Sequence, residues 1–177
     1  MKIIGLFDPR RTGDRAHAAT GAGSGGRRAP SVFAAILLLL AVPGTAGAEE
    51  FPRSWLRLVS STGSHEFTVE VAADDKRRTL GLQHRKSLAA DSGMLFDFGA
   101  ETRIAMWMKN THVSLDMLFA AADGTVIHVA ERTTPLSLDT IQAPGLARYV
   151  LEVPAGTAAR LGVRRGDVLE GAALGGG

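Results

Sequence analysis

Apolar and polar positions change pattern twice along the chain. Val32–Val42 is an unbroken apolar run of eleven residues, ended by Pro43-Gly44 and followed by Ala46-Gly47-Ala48. Beyond it the pattern breaks into short alternating segments separated by turn residues. Trp55–Val59 reads as a first strand, and Phe67, Val69 and Val71 alternate cleanly with polar neighbours in a second. From Asp74 to Arg85 the period changes. Asp74 or Asp75 can cap a short helix that breaks near Gly81. Strands follow at Met94–Phe98, at Ile104–Lys109 (Met106 and Met108 opposite Trp107 and Lys109), and at Ser114–Ala121 and Thr125–Glu131. Asp123-Gly124 between the last two predicts a hairpin with a type I′ turn. Arg148–Val153 is a late strand, Ala155–Leu161 a helical turn or two, and Val163–Leu169 a turn with a closing strand. The expected fold is mainly β (α+β): an antiparallel sheet curled into a partial barrel or sandwich, with one or two short helices.

The early apolar run belongs to a different kind of segment. Basic residues precede it and small residues follow it at the positions a signal peptidase reads, so residues 1–48 are expected to be a signal peptide and leader, cut near Ala48. At eleven residues the run is short for a membrane span, which needs about 20. An uncleaved anchor is the alternative. Arg27-Arg28 resembles a twin-arginine signal, but Ala29-Pro30-Ser31 fits that motif poorly. The mature protein is therefore expected to be periplasmic or secreted, with no transmembrane span. Residues 49–64 read as an N-terminal extension and first strand, 65–170 as one domain, and 171–177 as a flexible, glycine-rich tail.

Removing the leader reverses the charge. It holds six of the 20 basic and two of the 18 acidic residues, leaving 14 against 16. No basic excess is left to advertise nucleic-acid binding. It contains no cysteine, which excludes disulfides, thiolate metal sites and cysteine nucleophiles. His65, His84, His112 and His128 show no metal-ligand spacing, and no G-x-S-x-G or phosphate loop is present. No cofactor and no metal are expected. The methionines read as core fillers rather than copper(I) ligands, and Arg165-Gly166-Asp167 as a tight turn.

The stretches Arg78–Leu82 with Arg85, Gly93–Phe96, Trp107–Thr111 (WMKNT), Leu115–Phe119 (LDMLF), Val150–Glu152 with Ala155-Gly156, and Gly166-Asp167 together resemble the bacterial and archaeal family catalogued as domain of unknown function 192. The resemblance spans about residues 65–170. It implies a compact, mainly β domain, commonly exported, and no catalytic residue. Gln83 stands where the family usually has Met, and Met106 where it has an aromatic.

Polar residues inside apolar strands supply the candidate chemistry. Trp107 offers a stacking wall and Lys109 a charge for an anionic group. Asn110 sits where that strand ends. Asp116 interrupts an apolar strand and, if buried, needs a partner. Arg78 and Arg85 are candidates to close one side. The candidate ligand-binding set is thus Trp107, Lys109, Asn110, Asp116, Arg78 and Arg85, for a small anionic or carbohydrate ligand. Bland readings compete: Asn110 as a turn former, Asp116 as half of a buried Asp–Arg brace. Asp116 with Glu152 is an alternative acid–base pair for a glycan-directed hydrolase or lyase. An interaction module working through a sheet edge is the third reading.

Overall fold

The computed structural model describes residues 50–175; the leader and its cleavage site lie outside them. β1 (Arg53–Ser60) and β2 (Gly63–Ala72) form an antiparallel hairpin in which Leu56 faces Phe67. Asp74 then caps α1 (Asp75–Leu80) by accepting a bond from Arg77 N at 2.8 Å. Gly81, at φ 49°, ends the helix after six residues, where the break was expected. β3 (Ser92–Thr102) follows. It lies parallel to β2, with Val71 beside Leu95. The intervening residues, α1 among them, give the long crossover that a parallel pair requires. This is the one parallel pairing in an otherwise antiparallel sheet.

A two-residue strand β4 (Ala105–Met106) comes next, then β5 (Leu115–Ala120), β6 (Val126–Ala130), another two-residue strand β7 (Ile141–Gln142), β8 (Ala147–Pro154), α2 (Thr157–Arg160) and β9 (Val168–Glu170). The main sheet has the order β6-β5-β8-β3-β2-β1-β9, while β4 and β7 pair separately. Val126 N donates to Asp167 O, Gly166 N to Val126 O and Leu169 N to Gly124 O, at 2.8–2.9 Å. These bonds tie the β9 end to the β6 end, so the sheet curls into a partial barrel.

Gly124 is required twice over. Its φ is 85°, and a Cβ there would sit 2.2 Å from Leu169 O. Asp123 keeps negative φ. The loop is thus a three-residue one, with Gly124 N bonded to Ala121 O and Ala121 N to Thr125 O, rather than the expected type I′ turn.

Two cores result. The first, enclosed by the curl, draws on Leu56, Val69, Leu95, Leu118, Leu151 and Leu169. Ala173 is buried in it and Leu174 packs against it, which anchors the segment expected to be a loose tail as far as Leu174. The second core lies on the other face of β3, β5 and β8. There Met94, Phe96, Met117, Phe119 and Val150 are covered by Ile104, Met106 and Met108. Central strands buried on both faces carry near-continuous apolar runs, and all six residues of β5 are buried.

Candidate functional site

β5 and β8 are neighbours, with Asp116 opposite Val153 and Met117 opposite Glu152. Side chains alternate along a strand, so Asp116 enters the first core and Glu152 the second. The two carboxyls therefore point to opposite faces of one sheet and enclose no common space. This geometry disposes of the acid–base pair.

Asp116 is fully buried and is a brace. Its Oδ1 accepts from Arg132 N and its Oδ2 from Ala158 N, both at 2.8 Å. The second bond is a cap supplied from a distant element. The N-cap of α2 is Gly156, which has no side chain to cap with. The expected Asp–Arg pair is not what holds it: Asp116 braces the fold through these backbone N–H donors.

Arg78 and Arg85 are also committed. Arg78 donates to Ala73 O and Asp97 O, pairs with Asp75 and lies over the Phe98 ring. Arg85 makes a two-pronged pair with Glu70 and covers Phe51. The buried Asp97, sitting within Met94–Phe98, is held by Arg148 at 2.9 and 3.0 Å. Burial opposes its ionisation, but Arg148 and Gly99 N–H outweigh it and keep the carboxyl below its ordinary value. An aspartate in an apolar strand was the signal for this pair, and it was missed.

Trp107, Lys109 and Asn110 stay together on the loop after β4. The expected strand shrinks to Ala105–Met106, because Met108 N bonds Ser137 O and Thr111 N turns back to Met108 O. Lys109 lies over the Trp107 ring at 5.9 Å. Asn110 takes φ 56°, accepts from His84 N and donates to Gln83 Oε1 at 3.0 Å. It is the turn former of the bland reading, and Gln83 is its polar partner rather than a packing residue. Of the six candidates, then, three share this loop and three are bound elsewhere as braces.

Two of the clefts among the described residues bear on function, and none of the six candidates lines either. One, of about 350 Å³, lies between β2 and α2 and is walled by His65, Glu66, Asp91 and Arg160 among others. The other, of about 260 Å³, is lined by Met108, Glu131, Thr133, Ser137, Asp139 and Ile141 among others. Thr133, buried at its base, holds the two loops to the sheet. Its hydroxyl accepts from Leu115 N at 3.1 Å and lies 2.9 Å from Leu115 O and 3.3 Å from Met108 Sδ.

Glu152 is the anomaly. It is fully buried in the second core, and neither carboxyl oxygen has a hydrogen-bond partner. Its cross-strand neighbours are Met94 on β3 and Met117 on β5, both also without exposure. Desolvation pushes its pKa from 4.5 to about 8, so it is a neutral acid near pH 7. Trp107, packed against the same core, also buries its indole Nε1 without a partner. Buried polar groups left unsatisfied are uncommon in proteins and call for an explanation. Among the described residues, no three His, Asp or Glu side chains converge as a metal cluster.

The DUF192 family model, described as uncharacterized ACR, matches residues 57–171. The chain belongs to the DUF192 family. Two solved structures share the DUF192 fold seen here. A protein from Sinorhizobium meliloti 1021, called a "putative transcription regulator", is 46% identical, with a TM-score of 0.70 over 72% of this chain and 100% of its own. A protein of unknown function from Novosphingobium aromaticivorans DSM 12444 is 30% identical, with a TM-score of 0.66 over 71% of this chain and 94% of its own. No curated protein matches. DUF192 membership carries no assigned reaction or ligand, so the function has to be argued from the site.

Proposed function

We propose that this protein is a binding module for a small cationic or neutral ligand, working outside the cytoplasm, with its site in the cleft between Met108 and residues 131–141. One observation carries the reading. A polar-rimmed cleft of about 260 Å³ has as one wall a methionine of the core that holds the unpartnered Glu152. The larger cleft is lined by no residue of that core. Glu131 and Asp139 on the rim outnumber Arg132, which favours cations or carbohydrates over the anionic ligand suggested by Lys109. Export is supported by the leader-like sequence of residues 1–48, which precedes both the matched residues 57–171 and the described fold.

The Sinorhizobium relative's name suggests DNA. With 14 basic against 16 acidic residues after Ala48, we read the domain as unsuited to a phosphate backbone. The sheet-edge reading has less support, since residues 124–126 and 166–169 bond the ends of the strand order together.

The test is an amide-shift titration with choline, spermidine and N-acetylglucosamine. The expected result is saturable change confined to Met108, Thr133, Ser137 and Asp139, weakened in Asp139→Asn for the cations. Change at none of these residues would refute the cleft as a site.

A further inference from the structure

Behind Met108, the one methionine that lines the cleft, the second core holds a set of donors that sequence spacing concealed. Met94, Glu152 and Met117 lie side by side on β3, β8 and β5 in direct register. Directly opposed residues have Cβ atoms about 4.5–5.5 Å apart and share a face. Two thioethers therefore flank one carboxyl, all fully buried. Met108 covers the same face. The Thr133 hydroxyl, bonded to the backbone of Leu115, lies 3.3 Å from its sulfur. Leu115 is two residues from Met117 on that face of β5, so Met108 both lines the cleft and packs in the core that Glu152 enters. We propose that Glu152, Met94 and Met117, reached past Met108, form a site for a soft monovalent metal ion of the Cu(I) type. This names the ligand class of the binding reading above and rests on it.

Charge and softness both select that class. A monovalent ion paired with the one carboxylate makes a buried site of no net charge. A divalent ion would leave a net positive charge in hydrocarbon, at high cost. The exchange is balanced without redox: the O–H bond breaks, the carboxylate takes the ion, and one proton leaves to solvent. Thioethers suit Cu(I), whereas Ca²⁺ and Mg²⁺ require a shell of oxygens. Thioethers also form no disulfides, which fits a metal site in an oxidising compartment. Glu131 and Asp139 at the mouth would draw a cation toward Met108.

The experiment uses Ag(I) as a redox-inert probe in chloride-free buffer, and Cu(I) delivered anaerobically from a chromophoric chelator. The folded protein should bind one ion per chain. The methyl resonances of Met94 and Met117 should shift. Glu152→Gln, a neutral isostere, should weaken binding at least 100-fold, and Met94→Leu or Met117→Leu about tenfold each. Zn²⁺ and Ca²⁺ should not compete. Absence of one-to-one binding, unchanged affinity in folded Glu152→Gln, or ion binding that leaves both methyl signals in place would each overturn the site. If Ag(I) fails while choline or spermidine still shifts Ser137 and Asp139, the metal site falls and the binding module stands. If both fail, the binding reading falls as well.

Discussion

Substituting Glu152 tests the energetics of the second core. An ordinary glutamate ionises at 4.5, and burial without a partner raises this one to about 8. Between those values the unfolded chain has released its proton while the folded chain holds it. The unfolded state then binds fewer protons, and stability falls as pH rises. The penalty is absent below about 4.5 and complete above about 8. At about 1.4 kcal/mol per pH unit it reaches on the order of 5 kcal/mol, and on the order of 3 kcal/mol at pH 7. Glu152→Gln removes the titration and keeps the shape, so its stability should not fall across this window. It should match the wild type near pH 5 and exceed it by roughly 3 kcal/mol or more at pH 8. Glu152→Met, with no polar atom to desolvate, should gain a further ~1 kcal/mol or more at every pH. The assay is urea unfolding of wild type and variants from pH 4.5 to 8.5. A wild-type stability that stays flat or rises across this range, with Glu152→Gln parallel to it, would refute the reasoning.

Other parts of the fold give sharper directions. Asp116→Asn presents an amide to one of two backbone N–H groups and should cost about 2–3 kcal/mol by urea unfolding, with hydrogen-exchange protection lost first at Ala158. Arg148→Met leaves Asp97 buried without its partner and should cost about 3 kcal/mol at pH 7. Because the folded Asp97 value is depressed, that cost should shrink as pH falls through and below the ordinary carboxylate value near 3.8, as unfolding curves at pH 3 and 7 will show. Gly124→Ala should destabilise by more than about 2 kcal/mol, from positive φ and the collision with Leu169 O together, and should speed exchange at Val126, Gly166 and Leu169.

Much of the fold was legible because period-2 alternation survives wherever one face is solvated. Phe67, Val69 and Val71 in β2 show it. Elsewhere the rules misled for identifiable reasons. Ile104–Lys109 alternates like a strand, and Met106 and Met108 are indeed buried while Lys109 is exposed. Only two residues pair, however, because Ser137 takes the next backbone bond. β7 is too short to signal. The parallel pairing of β2 and β3 has no local mark, since pairing partners are chosen by tertiary packing.

The site was less legible, for a reason of symmetry. In strands buried on both faces, composition does not say which face a polar residue enters. Asp116 and Glu152 look alike in LDM and LEV, yet one is capped by two N–H groups and the other is orphaned. Only the register separates them, and it places methionines on both sides of Glu152. Lys109 and Asn110 stood out in the sequence as charge and amide at a strand end, and the structure binds Asn110 into a turn with Gln83 and His84. Residues 131–141, which wall the cleft, drew no notice because hydroxyls and acids in a loop are ordinary.

The most direct measurement is a carbon-13 NMR titration of the glutamate side-chain carboxyls, with Glu152→Gln assigning the resonance. The Glu152 carboxyl should stay protonated at pH 7 with a midpoint near 8, and should pass to the carboxylate position when Ag(I) is added at that pH. A Glu152 signal that titrates near 4.5, or one that ignores Ag(I), would contradict it.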